Sequence, residues 1–189
     1  KQTKEGIAYL SDAFDWGNVS AGTLLAKHYE TVKENSKALI WYEKAADEGD
    51  PMARSGLIAL SYDLQKFDVW KKWITKSANE GNIADVGKLA LYLTIGEKNY
   101  TEGKKWGIIG GSAGDSTSMF AAGYSYYKGD KNITEAKNWL LKSAKLNNIL
   151  SARVLGEIYR SEKNPEDAII WYKKASSGDD LTSTYQLAM

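Results

Sequence analysis

The chain has 189 residues, 43% of them hydrophobic and 26% charged, enough for a sizeable core and too polar for a bundle of membrane-spanning helices. Lysine and arginine total 25 against 24 aspartates and glutamates, so no bulk field draws in nucleic acid or an anionic membrane. With no cysteine and one histidine, His28, the chain has no disulfides, thiolate nucleophiles or cysteine zinc sites, and histidine-dependent catalysis must use that one residue.

Residues 9–17 read as a second helix without its first, so 1–17 is a partial unit. The next unit, 18–49, has a first helix with Leu25-Ala26 and Tyr29, a loop over 31–36, and a second helix carrying Trp41 and ending at Gly49. In 50–81, Asp50-Pro51 opens the first helix, Ile58-Ala59 and Tyr62 repeat the small-then-aromatic pattern, and the Trp73 helix ends at Gly81. Unit 82–114 offers Leu89-Ala90 and Leu93, then a Trp106 helix with Thr101 as a cap candidate and glycines at 103, 107, 110 and 111. Unit 115–147 gives Ala122-Gly123, Tyr126, the cap candidate Thr134 and a Trp139 helix. Unit 148–178 gives Leu155-Gly156, Tyr159, and Asn164-Pro165-Glu166-Asp167, a cap, a first-turn proline and two acids opening the Trp171 helix. Residues 179–189 read as a first helix without its second.

Two periodicities set this division. Gly17, Gly49, Gly81, Gly114, Asn147 and Gly178 recur every 31 to 33 residues, and Gly or Asn is what ends a helix in the left-handed conformation. Trp41, Trp73, Trp106, Trp139 and Trp171 keep the same interval, each followed at the fourth and fifth positions by small residues: Ala45, Ser77, Gly110, Ser143 and Ala175, then Ala46, Ala78, Gly111, Ala144 and Ser176. A ring and a gap on one helical face let a neighbouring helix approach closely. The tryptophan stripe therefore reads as packing. Such a period predicts an all-α, right-handed α-α superhelix, a solenoid of about five antiparallel helix pairs with partial repeats at both ends.

The segment 37–49, Lys-Ala-Leu-Ile-Trp-Tyr-Glu-Lys-Ala-Ala-Asp-Glu-Gly, resembles the Sel1-like repeat, and the fifth unit echoes it through Ala168, Trp171, Tyr172, Lys174, Ala175 and Gly178. The pattern degenerates in the second and third units, where Trp70 and Gly103 replace the first alanine and Gly107 the tyrosine, and the glycine-rich loop usual in the family is reduced. The Trp-Tyr-x-Lys-Ala-Ala string separates the chain from the related tetratricopeptide repeat. The resemblance implies an adaptor that binds proteins.

Enzymatic readings find little support. Gly110-Gly111-Ser112-Ala113-Gly114 matches the nucleophile-elbow string, but it falls at a helix end where the glycines fill packing and stop slots, and only His28 could serve as base for Ser112. The same cluster lacks the lysine of a phosphate loop and a preceding strand. Glu166-Asp167 and Asp179-Asp180 read as helix-start acids.

The expected function is a non-enzymatic protein-protein interaction module. It needs no metal or cofactor, binds a protein or peptide on the concave face of the solenoid, and touches neither nucleic acid nor the membrane interior. The first helices line the inner curve of such solenoids, so the candidate contacts are Lys27, Leu60, Leu91, Tyr124 and Glu157, one position after the small residue, with Lys88, Arg153 and Arg160 beside them. The alternative for Leu60, Leu91 and Tyr124 is packing within the hairpin. A dedicated inhibitor or immunity-type binder of one bacterial protein is the alternative role, and hydrolysis through Ser112 and His28 the lesser one. The start at Lys1, with neither initiator methionine nor apolar leader, suggests a processed chain, exported or periplasmic rather than cytoplasmic. Sequons at Asn18, Asn99 and Asn132 fall in predicted loops. The glycine-rich helix of the third unit is either a hinge or a site of close packing.

Overall fold

A computed structural model describes residues 2–178 and 180–188, with side chains for all but residues 2, 3, 181, 185, 187 and 188. Asp179 of the expected acid pair and the ends of both partial units lie outside the described residues. Among these residues there are twelve α-helices and no strand. The first compact unit runs to Lys76 and the second starts at Ser77.

The first unit contains α1 (Gln2–Asp15), α2 (Val19–Thr31), α3 (Asn35–Asp47) and α4 (Pro51–Asp63), with α5 (Phe67–Asn79) extending past its boundary. From α1 to α4 successive helices pack against one another, and the first helices α2 and α4 also touch. Leu25, Ala26, Ala38, Ala45, Ala46 and Leu57 are completely buried, and a buried leucine contributes about 1.5–3 kcal/mol. Phe14 and Trp41 meet edge to face with centroids 5.5 Å apart.

The second unit holds α6 (Ile83–Leu91), α7 (Tyr100–Ser112), α8 (Ser116–Ser125), α9 (Ile133–Lys145), α10 (Ile149–Ser161), α11 (Pro165–Ser176) and α12 (Leu181–Ala188). One core cluster there gathers Phe120, Leu140, Val154, Leu155 and Ile158 around the alanines at 136, 144, 152 and 175. The small slots after the tryptophans are buried in every repeat except at Ser176, which is half-buried. Trp73 and Trp106 are buried, whereas Trp41, Trp139 and Trp171 are half-buried. Ring-and-gap packing thus accounts for the tryptophan period.

The predicted stops at Gly17, Gly49, Gly81, Gly114 and Asn147 all have positive φ, between 62° and 93°. Gly178 does not take this conformation; an added Cβ there would lie 2.4 Å from Cδ1 of the flexible Ile149 side chain. The short turns inside the hairpins also carry left-handed residues, and none is glycine: Lys33, Gln65, Lys98, Lys131 and Lys163 have φ of 55° to 61°. Asp50 and Asn164 cap as expected, Asp50 accepting from Met52 N at 2.8 Å and Asn164 from Asp167 N at 3.2 Å. Thr101 and Thr134 do not cap; they lie inside α7 and α9, whose caps are Asn99 and Asn132, accepting from Glu102 N at 3.2 Å and Glu135 N at 3.1 Å. Those two sequon asparagines lie in the short turns, as expected, and cap the helices that follow.

The third and fourth repeats, 33 residues each, are one residue longer than the first and second, and the structure shows where the residue goes. In the first, second and fifth repeats the turn closes through Glu34 N to Tyr29 O, Lys66 N to Ser61 O and Asn164 N to Tyr159 O, five residues apart. In the third and fourth the equivalent bonds are Asn99 N to Leu93 O at 2.8 Å and Asn132 N to Tyr126 O at 3.0 Å, six apart. The extra residue is absorbed as a π-helical turn, Tyr92–Gly96 after α6 and Tyr126–Asp130 after α8, a local widening that leaves the rest of the repeat in register.

These bonds also correct the second repeat. Ser61, not Tyr62, is the counterpart of Tyr29, so Leu57-Ile58 rather than Ile58-Ala59 matches Leu25-Ala26. Burial agrees: Ser61 is 0% and Tyr62 52% exposed. Tyr62 lies over Phe67 and Trp70, with centroids 6.0 and 5.5 Å away.

The glycines of α7 are sites of close approach. A Cβ on Gly107 would lie 2.6 Å from the backbone nitrogen of Ala122 and 2.8 Å from Ser118 O, and one on Gly111 would lie 2.8 Å from the Trp139 ring. One on Gly103 or Gly110 would collide with the hydroxyl of Thr94 or Ser118. Closely apposed helices, not a loose hinge, are what these residues permit.

Candidate functional site

The first helices of the second unit, α6, α8, α10 and α12, carry most of the candidate residues. α6 touches α8 and α8 touches α10. Leu91 and Tyr124 are half-buried and pack their inner sides on the core around Phe120, the Tyr124 ring lying 5.5 Å from that of Phe120 and 6.4 Å from that of Tyr127. Lys128 Nζ sits 4.2 Å over the Tyr127 ring and 5.8 Å over Tyr124, near enough for cation–π attraction. Burial raises the Tyr124 phenol above its ordinary value, and the field of Lys128 works against that rise.

A cleft of about 340 Å³ opens at the C-terminal end of this face, lined by Tyr127, Glu157, Arg160, Ser161, Thr182 and Gln186. It lies between the π turn after α8, the last turn of α10, and α12. Glu157 and Arg160 are three residues apart on α10 and so share a face. Arg160 donates from Nη1 to Gln186 Oε1. The α11 residue Tyr172 is 3% exposed, and its hydroxyl is buried without a hydrogen-bond partner. Burial raises this phenol, opposed by Arg160 and reinforced by Glu157 and Tyr127, three residues of the cleft wall. Arg153 is half-buried, and its Nε is likewise enclosed without a partner.

The remaining candidates are placed differently. Lys88 is exposed and paired at 3.0 Å with Asp85, which also accepts from Ser77 at 2.7 Å. In the first unit Lys27 is exposed, while Leu60 is 6% exposed and belongs to the packing. With the second repeat correctly registered, Ala59, which is exposed, takes the position of Lys27. The cleft therefore unites Glu157 and Arg160 from the sequence reading with Tyr127, Ser161, Thr182 and Gln186, which that reading missed. The residue after the repeat tryptophan, tyrosine at both 42 and 172, was the available signal for Tyr172.

Ser112 ends α7 with no strand before it, and His28 lies in α2 against the Tyr29 ring, 5.6 Å between centroids. A nucleophile elbow requires a strand-to-helix turn, and the G-x-S-x-G string here is a helix terminus. Among the described residues no group of three or more histidines, aspartates or glutamates could hold a metal ion. No described helix is long and apolar enough to cross a membrane.

Helix pairs repeating every 31 to 33 residues, with left-handed stops and ring-and-gap packing, define an α-solenoid built from helical hairpins. The sequence model of the Sel1 repeat matches residues 27–50, 116–148 and 155–180, so these segments of the chain carry Sel1 repeats. No curated protein matches the sequence. Solved structures with the same fold include a protective antigen of uropathogenic Escherichia coli displaying an SLR fold, with TM-score 0.73 and 23% identity over 96% of this chain; this chain spans 43% of that one. A Sel1 repeat protein from Oxalobacter formigenes gives TM-score 0.64 and 21% identity over 96% of this chain and 88% of its own. YrrB, described as a TPR protein with an unusual peptide-binding site, gives TM-score 0.68 and 16% identity over 95% and 98%.

Proposed function

We propose that this chain is a non-enzymatic binding module that holds a protein or peptide against the first-helix face of its second unit. The observation that carries the reading is the cleft between the π turn after α8, the last turn of α10, and α12, where Tyr127, Glu157 and Arg160 converge. Tyrosine and arginine are the residue types that dominate binding energy at protein interfaces; Tyr127 and Arg160 line the cleft, and Tyr124 on α8 and Arg153 on α10 lie on the helices that lead to it. The fold similarity to YrrB, a protein described by its peptide-binding site, favours a peptide or extended segment. The near-zero net charge argues against nucleic acid as the partner.

Affinity capture with the intact chain from its source organism, followed by mass spectrometry and direct titration of each recovered partner, tests the proposal. Tyr124→Ala is expected to weaken a true groove partner at least tenfold per folded molecule, about 1.4 kcal/mol. Unchanged affinity alongside a severe fall in melting temperature would instead place Tyr124 in packing alone. A single stoichiometric partner held at nanomolar affinity would favour a dedicated inhibitor or immunity-type binder over an adaptor. Turnover abolished by Ser112→Ala and His28→Ala would replace this reading with an enzymatic one.

A further inference from the structure

The first repeat supplies a template for the cleft. There the Tyr42 hydroxyl donates to Glu30 Oε2 at 2.7 Å. Tyr42 and Tyr172 each follow the repeat tryptophan, and both are buried. Glu30 and Arg160 are each the twelfth residue of a thirteen-residue helix, α2 and α10 respectively. Where the first repeat supplies a carboxylate, the fifth supplies a guanidinium, which has donors and no acceptor. The Tyr172 hydroxyl is consequently enclosed with nothing to donate to.

Buried polar groups in folded proteins are hydrogen-bonded as a rule, so an unpartnered buried hydroxyl within electrostatic reach of the cleft residues Arg160, Glu157 and Tyr127 points to an acceptor that arrives from outside. The cleft wall itself carries one cation, Arg160, and one anion, Glu157, and further cations stand on the elements beside it. Arg160 inverts the sign found at Glu30. Arg153, seven residues earlier on the same face of α10, encloses a second unpartnered donor at Nε, and Lys128 stands over the Tyr127 ring. Only Glu157 opposes them in this group. Gln186 occupies a single nitrogen of Arg160, which leaves the other guanidinium donors for an incoming group.

We propose that the cleft between α8, α10 and α12 binds a side-chain carboxylate, from a glutamate or aspartate of a partner protein segment, in the place that Glu30 fills in the first repeat. The carboxylate accepts from the Tyr172 hydroxyl and pairs with Arg160. Glu157, one turn away, repels a second acid on that side and accepts from a peptide N–H, so the preferred segment carries an isolated acid rather than an acidic run. This assignment rests on the reading of the chain as a protein-binding module.

The test presents the intact chain with a random peptide library whose members are acetylated and amidated, so that every carboxylate is a side chain. Enriched peptides should share a glutamate or aspartate at one position, and its replacement by glutamine should weaken binding about tenfold or more, as expected for a charged hydrogen-bonded pair. Tyr172→Phe removes a hydroxyl with no partner in the free protein, so it should leave the melting temperature unchanged while weakening the peptide. Arg160→Glu rebuilds the first-repeat pair within the chain; it should raise the melting temperature and abolish binding. Should that variant fail to fold, Tyr172→Phe still decides the matter. Peptides without an acid that are weakened by Tyr124→Ala but not by Tyr172→Phe would overturn the carboxylate site and leave the binding module standing. Peptides that bind only when their own C-terminal carboxylate is free would also overturn it. A library from which the intact chain enriches nothing would overturn both readings.

Discussion

Gly107 faces Ala122 so closely that a methyl group on Gly107 would come within 2.6 Å of the Ala122 backbone nitrogen. The obstacle is main chain, which cannot rotate away as a side chain can. Helix propensity alone would favour alanine at this position by about 1 kcal/mol, so propensity and packing predict opposite signs. Packing wins: Gly107→Ala is expected to destabilise by roughly 1–3 kcal/mol net, the usual range for an overpacked site. The quadruple variant at 103, 107, 110 and 111 should lose more still, measured by urea denaturation. Amide exchange over residues 104–109 should be as slow as over 39–44, or slower.

The π turns lead to a deletion test. Leu93 and Asn99 are joined by the same backbone bond that joins Tyr29 and Glu34, with one more residue between them. Ile95 lies in that stretch and is 45% exposed. Its removal should return the third repeat to the five-residue spacing and cost less than about 1 kcal/mol, within the range of surface changes and of short-loop adjustment. Deleting Tyr62, in a repeat with no extra residue, should cost several-fold more because every later core residue shifts out of register. Melting temperatures of the two single deletions give the comparison.

The sequence showed some of this and hid the rest, for reasons visible in particular residues. Tryptophan and glycine recur because burying a large ring and ending a helix left-handed each tolerate few residue types, so their period exposes the repeat. Register within a first helix is less constrained. Ala59 and Tyr62 imitate a small-then-aromatic pair by chance, and the bond from Lys66 N to Ser61 O, with Ser61 buried and Tyr62 exposed, reveals the slip that put Leu60 among the contacts. The candidate site was half legible. Glu157 and Arg160 could be placed on one helical face from spacing alone, but Thr182 and Gln186 come from a different helix. That Tyr172 lacks an acceptor depends on which residue stands twelfth in α10, and this emerges only when the helices are aligned by their bonds.

The left-handed residues inside the hairpins should respond to glycine. Lys33, Lys98, Lys131 and Lys163 hold φ near 60°, a conformation that costs a residue with a Cβ roughly 1–2 kcal/mol and glycine almost nothing. Glycine also gives the unfolded chain more freedom, which offsets part of the gain. Lys163→Gly is therefore expected to stabilise by up to about 1 kcal/mol, and Lys163→Val to destabilise, since a β-branched side chain tolerates this region least. Thermal unfolding of the pair reads both signs.

Asp50 ties the start of α4 to α2. Its carboxylate accepts from Met52 N at 2.8 Å and from the Thr23 hydroxyl at 2.5 Å. Partial burial on its own would raise the carboxyl pKa, but the Thr23 bond and the backbone bonds from Met52 and Ala53 outweigh it and hold the pKa below the ordinary value. A carboxyl whose pKa is lower folded than unfolded stabilises the fold above the unfolded pKa, and that contribution disappears as pH falls through the folded one. Stability should therefore decline on acidification below about pH 4, the ordinary range of an aspartate, and part of that decline should vanish in Asp50→Asn, whose side chain still caps but does not titrate. Asp50→Ala removes the cap as well and should cost about 1 kcal/mol at neutral pH. Denaturation of the three chains at neutral and acidic pH separates the charge from the cap: if Asp50→Asn and the parent lose stability equally on acidification, the carboxylate is not the titrating group.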